Sequence, residues 1–479
     1  MRGPRRDSAG GTGPGPSLDR QILSLAVPAL GALIAEPLFV LIDSAMVGHL
    51  GATSLAGLAL ASTVLTTAVG LFVFLAYATT ATTARLFGAG DRAGGLRAGV
   101  DGIWLSLLLG AVTAVAGWLS APWLVEVMGA RDAVAEAAVA YLRASAPGLP
   151  GMLAVLAATG TLRGLLDTRT PFVVASGGAV LNVGLNAVLL YGVGMGVAGS
   201  GLGTAVTQTL MGVVLTTLVA RAARSASVSL RPHRSGLGAS FATGLPLLVR
   251  TLSLRAAILL TVWAATALGA TELAAHQVVS SLWGFAAFAL DALAIAAQAL
   301  VGTTLGAAQA RSGAPGGTHP QVPPEASPGG WGTVSQADGD RGGRVGAVLC
   351  RTLEWGGGAG AAIGVVLAAL SPLLPRLFTT DPAVHAAATP ALLVAAAAMP
   401  LAGAVYMLDG VLIGAGDGRY LAVAGMLTLV TYAPLAVLVG RHGSGTAGLV
   451  WLWAAFAVVF MATRALTTGL RARGTAWRH

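Results

Sequence analysis

The chain has 479 residues, of which 55% are hydrophobic and only 10% are charged, and its mean hydropathy is +0.78. A soluble domain carries about 25% charged residues, so this composition excludes an ordinary water-soluble protein and indicates a protein embedded in lipid. The formal charge of +9 does not indicate nucleic-acid binding, because the arginines lie between apolar runs instead of alternating with aromatic residues on one surface.

From the N-terminus, residues 1–20 are rich in Gly, Pro and Arg and lack the apolar stretch and cleavage site of a secretory signal, which predicts a disordered tail. A bilayer core about 30 Å thick requires about 20 mostly apolar helical residues to cross it. Twelve apolar runs meet this requirement and predict an all-α integral membrane protein. The predicted spans are 21–48, 54–87, 98–121, 134–160, 171–192, 197–220, 241–268, 272–306, 345–370, 384–413, 420–440 and 446–468.

The arginines near the ends of these spans are distributed unevenly between the two sides of the membrane. With twelve crossings, twenty-one arginines fall on one side and only Arg131, Arg376 and Arg441 fall on the other. Basic residues near span ends are retained in the cytoplasm. We therefore expect a multi-pass protein of the cytoplasmic membrane with both termini in the cytoplasm.

The two halves of the chain repeat each other. Residues 50–56 recur as residues 268–274, and the same offset of 218 pairs Gly88 with Gly306. An even repeat of six spans keeps its orientation in the membrane. Two lobes related by a two-fold axis along the bilayer normal, with a cavity between them, are therefore expected.

Further along the chain the offset of the repeat grows. Residues 160–169 match residues 410–419 at an offset of 250, so an insertion of 32 residues separates the matching segments. The Gly-, Pro- and Ser-rich segment 311–344 supplies it and predicts a low-complexity cytoplasmic loop. The expected organisation is an N-lobe over 21–221, a cytoplasmic linker over 222–240, a C-lobe over 241–469 and a cytoplasmic tail over 470–479.

Residue types with catalytic or ligating chemistry are few. One cysteine, Cys350, excludes an internal disulfide framework and a cysteine-based metal cluster, and the seven histidines lack ligand spacing. The sequence has no Walker A motif, no Gly-x-Ser-x-Gly elbow and no His-Glu-x-x-His. We expect a protein that is not an enzyme and has no cofactor or metal. Alternating-access transport is the favoured class, although channels and membrane enzymes can also be duplicated.

One stretch of the first span resembles a known family. Residues 40–51, Val-Leu-Ile-Asp-Ser-Ala-Met-Val-Gly-His-Leu-Gly, resemble the first-span signature of the multidrug and toxic compound extrusion (MATE) family, and within it the DNA-damage-inducible protein F (DinF) branch. Further segments carry the resemblance over about residues 20–470: 162–171 after span four, 274–277 at the start of span eight and, for the DinF branch, 290–294 and 298–302.

The resemblance implies a V-shaped pair of six-helix lobes that exports small amphipathic, often cationic, organic compounds in exchange for protons or sodium ions. We accordingly expect small-molecule substrates, a lipid bilayer as surroundings, no nucleic-acid partner and a monomer. The alternative is a flippase or exporter of a lipid-linked or metabolite precursor, for which a more basic cavity and additional spans are expected. A structural or receptor-like membrane protein is disfavoured, because its buried ionisable residues would then lack a purpose.

Asp43 is the leading candidate for ion coupling. A carboxylate inside a span costs roughly 2.5 to 3.5 kcal/mol on insertion scales, and in an apolar cavity its charged form favours uptake of a proton. The resemblance implies that this aspartate couples ions in the N-lobe and that the helix bends at Pro28. The alternative is an aspartate near the outer end of span one that meets water. The repeat partner of Asp43 is Thr261, so cation chemistry is expected mainly in the N-lobe.

Glu36 lies seven residues before Asp43, two helical turns away on the same face. It is expected either to share a proton or an ion with Asp43 or to pair with an intramembrane arginine such as Arg143. Asn182 and Asn186, four apart on span five, offer amide oxygens to a cation or hydrogen bonds to a protonated Asp43. Their alternative role is interhelical hydrogen bonding.

Asn186 occupies a position that is acidic in many MATE relatives, which puts a mechanism with two N-lobe carboxylates in doubt. Thr204 and Thr207 on span six are weaker polar candidates for the same cavity.

In the C-lobe, Asp291 lies in the middle of span eight, and Arg250 and Arg255 lie on span seven. This arrangement predicts a buried ion pair, either structural or gating, or else a second ion or substrate site. Gln298, two turns after Asp291, is expected to line the same cavity.

Overall fold

The computed structural model describes residues 17–312 and 341–478, without the side chains of Glu36, Ser312 and residues 341–344. Most of the predicted N-terminal tail and of the predicted loop 311–344 therefore lies outside the described residues. The described part of the chain is built from helices joined by short turns.

Sixteen α-helices occur in residues 17–312 and 341–478. They are α1 Leu18–Gly48, α2 Ala52–Leu71, α3 Phe74–Gly88, α4 Arg92–Val127, α5 Asp132–Ser145, α6 Leu149–Gly164, α7 Arg169–Asn186, α8 Val197–Ser225, α9 Arg234–Leu268, α10 Ala270–Ser312, α11 Arg341–Leu370, α12 Pro382–Ala397, α13 Met399–Gly414, α14 Gly418–His442, α15 Gly445–Ala454 and α16 Met461–Arg473. Short 3-10 helices cover Ala146–Gly148 and Leu374–Leu377, and π-helices cover Ala187–Gly192 and Ala455–Phe460.

These helices make twelve candidate membrane spans within the described ranges. Eleven are long and apolar enough by themselves, and α12 with α13, bent by 50° at their junction, makes the twelfth. Pro400 lies in the first turn of α13, where proline fits because that turn needs no backbone donor. Each span corresponds to one predicted apolar run, which confirms the all-α, twelve-span fold class. α1 contains Pro28 and Pro37 within one continuous helix, and a bend at Pro28 stays a prediction.

The helices extend further than the predicted spans. α8 ends at Ser225 and α9 begins at Arg234, so the connection between the lobes is shorter than the predicted linker 222–240. Beyond α16, in the predicted tail 470–479, Trp477 is buried and its Nε1 donates to the carbonyl of Ala472 at 3.0 Å. Hydropathy marks where a helix crosses lipid, whereas polar residues continue the helix and pack beyond that point.

The internal repeat is visible in the helix boundaries. α2 begins at Ala52 and α10 at Ala270, 218 residues apart, and each follows a glycine with positive φ, Gly51 at 119° and Gly269 at 135°. α6 and α13 begin and end 250 residues apart. The two lobes, α1–α8 and α9–α16, therefore share one architecture.

Glycines bring equivalent helices into close contact in both lobes. A Cβ on Gly160 of α6 would lie 2.4 Å from the carbonyl oxygen of Ala76, and a Cβ on Gly410 of α13 would lie 2.5 Å from that of Ala294. These four residues are repeat partners. Small residues allow this approach, which provides much of the packing energy between helices in lipid.

The lobes meet along α3 and α10. A Cβ on Gly88 would lie 2.0 Å from the carbonyl oxygen of Thr303, and a Cβ on Gly306 would lie 1.9 Å from that of Arg85. Because Gly88 and Gly306, like Arg85 and Thr303, are repeat partners, the two contacts are equivalent. The pseudo-two-fold axis thus passes between α3 and α10.

Candidate functional site

A buried polar cluster in the N-lobe is centred on Asp43 of α1, which is 3% exposed. Its Oδ1 accepts hydrogen bonds from Ser200 Oγ of α8 at 2.5 Å and from Asn186 Nδ2 of α7 at 2.8 Å. Asn186 Nδ2 also donates to Asn182 Oδ1 at 3.0 Å. We call Asp43, Asn182, Asn186 and Ser200 the N-lobe cluster. Its low exposure removes the alternative of an aspartate that meets water.

The helix geometry explains why these side chains converge. Asn182 and Asn186 are one turn apart on α7 and therefore share a face. On α8, Ser200, Thr204 and Thr207 follow the same periodicity and are all buried.

A glycine on α8 lets that helix approach α7 closely. A Cβ on Gly203 would lie 2.1 Å from Asn186 Oδ1. The absence of a side chain at Gly203 is therefore part of how the N-lobe cluster is assembled.

The N-lobe cluster retains unused hydrogen-bonding capacity. Asn182 Nδ2, Asn186 Oδ1 and Thr207 Oγ1 are buried without a hydrogen-bond partner among the described residues. A buried polar group left unsatisfied costs about 1 to 3 kcal/mol. Both the charged form of Asp43 and these free groups are therefore stabilised by a small polar or cationic guest.

The structure brings together most of the polar residues predicted for the N-lobe. Asp43, Asn182 and Asn186 are in direct contact, and Thr204 and Thr207 lie on the α8 face that carries Ser200. The side chain of Glu36 lies outside the described residues. Ser200 was missed, although its spacing of four and seven residues from Thr204 and Thr207 could have indicated it.

A cavity of about 1300 Å³ lies between the lobes. Ser44 lines it and Asp43 does not, so the N-lobe cluster lies behind the cavity wall. Its C-lobe side is largely aromatic, and we call four of these residues, from α10, α15 and the π-helix Ala455–Phe460, the aromatic wall: Trp283, Trp453, Phe456 and Phe460.

Charged side chains of the C-lobe meet in the same cavity. Asp409 of α13 is 5% exposed and accepts hydrogen bonds from Arg250 Nη2 of α9 at 2.5 Å and from Arg464 Nη2 of α16. Both arginines bind the same oxygen, Oδ2. One buried carboxylate is thus neutralised by two guanidinium groups, an arrangement that keeps all three charged.

The predicted ion pair between Asp291 and the arginines of span seven is wrong in its partners. Arg250 binds Asp409, and Asp291 forms no salt bridge within residues 17–312 and 341–478, although it interacts electrostatically with Arg163 and Arg250. Arg255 is exposed in the cavity and has no ion pair there. The prediction failed because it paired helices adjacent in the chain, whereas α13 and α16 supply the groups that face Arg250.

Asp409 was missed as a site residue. A carboxylate inside the apolar run of α13 is the signal that could have indicated it. Arg163 was counted among the arginines outside the membrane, but it is half-buried and close to Asp291. Gln298 lines the cavity as predicted, and its Nε2 donates to the carbonyl of Tyr77 on α3 at 2.9 Å, which links the lobes.

Polar contacts between the lobes close the side that carries most arginines. Arg85 of α3 donates from Nη1 to the carbonyl of Ala415 at 3.1 Å and from Nη2 to Gln309 Oε1 at 3.3 Å. Arg351 of α11 binds Asp19 of α1 with two hydrogen bonds of 2.5 and 2.8 Å. The cavity lies on the opposite side of these contacts, among residues further along α1 and earlier in α10.

Comparison with known proteins agrees with this architecture. The MatE family model matches residues 28–188 and 333–438, which is more than half of the chain. The chain belongs to the MATE family. The family and fold are those of multi-pass membrane transporters of small molecules, so the predicted family is confirmed.

This MATE protein is 29% identical over 467 residues to Protein DETOXIFICATION 44, chloroplastic, of Arabidopsis thaliana, covering 95% of this chain and 82% of that protein. It is 28% identical to DNA damage-inducible protein F of Escherichia coli K12 over 61% of this chain and 64% of the relative. The crystal structure of the Vibrio cholerae MATE transporter VcmN in the bent form shares the fold, with a TM-score of 0.80 at 19% identity over 96% of this chain and 98% of that chain.

Proposed function

We propose that this MATE protein is a secondary active exporter that exchanges a cation, H⁺ or Na⁺, for small amphipathic organic compounds by alternating access. Asp43 is the coupling group in this proposal. The observation that carries it is a carboxylate, 3% exposed, whose hydrogen-bond donors Ser200 and Asn186 are both neutral.

A buried carboxylate without a cationic partner is best stabilised when a proton or a metal cation neutralises it. The free groups Asn182 Nδ2 and Asn186 Oδ1 next to it offer a donor and an acceptor for either guest. Because the N-lobe cluster is built from α1, α7 and α8, cation binding can change how α1 packs against its neighbours. α1 also lines the cavity, so this packing links the cation to the substrate.

We place the protein in the cytoplasmic membrane with both termini in the cytoplasm, as the arginine distribution favours. In that orientation the contacts of Arg85 and of Arg351 with Asp19 close the cytoplasmic side, and the cavity belongs to an outward-facing state. The inward-facing state requires these contacts to separate while α3 and α10 rock about their crossing.

Export of a lipid-linked precursor remains the second candidate, because one observation favours it. Among the described ionisable residues that line the cavity, three are arginines and two are aspartates, so the cavity is more basic than drug export requires. The count of twelve spans favours export of small molecules instead.

The test is an exchange assay in proteoliposomes with an imposed pH gradient or an imposed sodium gradient. A fluorescent organic cation and a fluorescent organic anion are followed in parallel. We expect one of the gradients to drive uphill movement of at least one probe by the parent protein, and Asp43→Asn to abolish it. The control is Glu126→Gln, which removes an exposed carboxylate of α4 and should behave as the parent. Uphill movement by Asp43→Asn at the parental rate would disprove the coupling role.

A further inference from the structure

The cavity is not chemically symmetric, and its C-lobe side has the properties of a binding site for an anion. We propose that this side binds an amphipathic organic anion, with Arg255 holding its acidic group and the aromatic wall holding its apolar body. This inference rests on the proposed export function and specifies the charge of the substrate.

The first argument is the balance of charge. Arg250, Arg255 and Arg464 line the cavity against Asp291 and Asp409, which leaves one positive charge in excess among the described side chains. Arg163, which interacts with Asp291, adds a second. Unbalanced positive charge in a poorly solvated space is stabilised by an anion.

The second argument is which of these charges is free. Asp409 is engaged by Arg250 and Arg464, and Asp291 interacts with Arg163 and Arg250. Arg255 alone among the cavity arginines has neither an ion pair nor a hydrogen bond within the described chain. A guanidinium group binds carboxylate, sulfonate or phosphate oxygens through two parallel hydrogen bonds.

The position of Arg255 suits a ligand that touches both lobes. Its guanidinium reaches across the cavity to α2, where Nη2 lies 3.0 Å from the place that a Cβ on Gly70 would take. An anion bound there is in contact with α9 of the C-lobe and α2 of the N-lobe. Its binding therefore depends on the relative position of the lobes, as alternating access requires.

The third argument is a pair of unpartnered polar groups in the same cavity. Trp453 Nε1 is buried without a hydrogen-bond partner in residues 17–312 and 341–478, and so is His276 Nδ1. Their rings lie 5.5 Å apart and are 1% and 3% exposed. The indole N–H can only donate, so it gains a bond from a ligand that carries acceptor oxygens.

The aromatic wall supplies the apolar half of the site. Phe456 and Phe460 stack with ring centroids 5.0 Å apart, and Trp453 meets Phe456 edge to face at 5.7 Å. Both phenylalanines lie on the π-helix Ala455–Phe460, a local distortion that is frequent at functional sites. The cavity volume of about 1300 Å³ exceeds that of most drug-sized sites, so a fused-ring body fits.

The experiment measures binding of two probes that share one ring system and differ in charge, naphthalene-2-sulfonate and 2-naphthylmethylammonium, to the purified full chain by calorimetry. We expect the sulfonate to bind about tenfold or more tightly than the ammonium compound. Arg255→Gln should weaken sulfonate binding by about tenfold or more, as expected for loss of a charge-assisted hydrogen bond, and Arg255→Lys should restore part of it. Because Arg255 has no protein partner, these variants should fold.

Arg376→Gln is the matched control, since it removes an exposed arginine outside the cavity and should leave both affinities unchanged. Trp453→Phe keeps an aromatic ring but removes the indole donor and should weaken the sulfonate alone, by a few-fold. Equal binding of the sulfonate by Arg255→Gln and the parent, or tighter binding of the ammonium probe by the parent, would overturn the inference.

Competition with dihexanoyl phosphatidate distinguishes the source of the anion. Displacement of the sulfonate by this short-chain lipid assigns the site to a lipid phosphate, and failure to displace it assigns the site to a free organic anion. The outcome is separate from the exchange assay. Uphill export of the cationic probe alone would overturn this inference and leave the role of Asp43 standing, whereas sulfonate binding without any coupled exchange would do the reverse.

Discussion

Asp43 in the N-lobe and Thr261 in the C-lobe occupy equivalent positions in the internal repeat, and so do Asn182 and Tyr432. In the N-lobe these positions build a carboxylate surrounded by amide and hydroxyl groups. In the C-lobe they build a neutral hydrogen bond, with Thr261 Oγ1 2.6 Å from the hydroxyl of Tyr432. Phe460 covers that bond, with its ring 5.5 Å from Tyr432. One backbone arrangement thus holds a site that can titrate in one lobe and an apolar cage in the other.

The C-lobe places its own buried carboxylate elsewhere. The repeat partner of Asp409 in the N-lobe is Thr159, and Asp409 is bound by two arginines where Asp43 is bound by none. A carboxylate held between two guanidinium groups stays charged and releases no ion during a cycle. The difference teaches that the number of cationic partners, and not burial alone, separates a coupling carboxylate from a structural one.

The largest effect is expected from Asp409→Asn. The substitution leaves Arg250 and Arg464 close together without a full counter-charge, which should cost about 3 to 5 kcal/mol of stability. Asp43→Asn should change stability by about 1 kcal/mol or less, because the amide oxygen still accepts from Ser200 and Asn186. Thermal unfolding of both variants in one detergent checks this. Equal losses of stability would show that the two carboxylates have the same role.

A smaller effect is expected from Ser200→Ala. Ser200 donates to Asp43 at 2.5 Å, and a hydrogen bond to a charged group contributes about 1.5 to 3 kcal/mol. Its loss disfavours the ionised carboxylate, so the midpoint of exchange against pH should move up by about one to two pH units if the coupling ion is a proton. Val450→Ala at the equivalent C-lobe position is the control and should leave the midpoint in place. A shift in both variants would contradict the assignment of coupling to the N-lobe.

The smallest effect is expected from Thr261→Val. It removes one neutral hydrogen bond and keeps the volume of the side chain, so stability should fall by about 0.5 to 1.5 kcal/mol. Coupled exchange should be unchanged, since Thr261 binds no ion in our proposal. Thermal unfolding and the exchange assay on the same preparation measure both quantities. Loss of exchange with intact stability would place ion chemistry in the C-lobe as well.

Much of the fold could be predicted because lipid imposes simple rules on the sequence. Length and hydropathy indicated the twelve spans, and the offsets of 218 and 250 predicted two lobes before any contact was known. Asp43, Asn182 and Asn186 could be found because polar residues inside apolar runs are rare. The ends of α8, α9 and α16 were misplaced, since helices continue beyond the apolar stretch.

The charged cluster of the C-lobe could not be predicted from the sequence in the same way. Which arginine faces Asp409 depends on how α9, α13 and α16 pack, and hydropathy contains no information on the neighbours of a helix. Ser200 was overlooked for a different reason. A single serine in an apolar helix costs little, so its presence is a weak signal until the partner carboxylate is located.

The reciprocal crossing of α3 and α10 has a consequence for the origin of the chain. Ala84 and Gly302 are repeat partners that touch each other, with a Cβ on Gly302 2.8 Å from that of Ala84. Self-contact of one position, flanked by the matched contacts of Gly88 and Gly306, is the geometry of an isologous homodimer. A six-helix ancestor carrying this segment would already have been complementary to a second copy of itself, and gene fusion would then have freed each half to diverge.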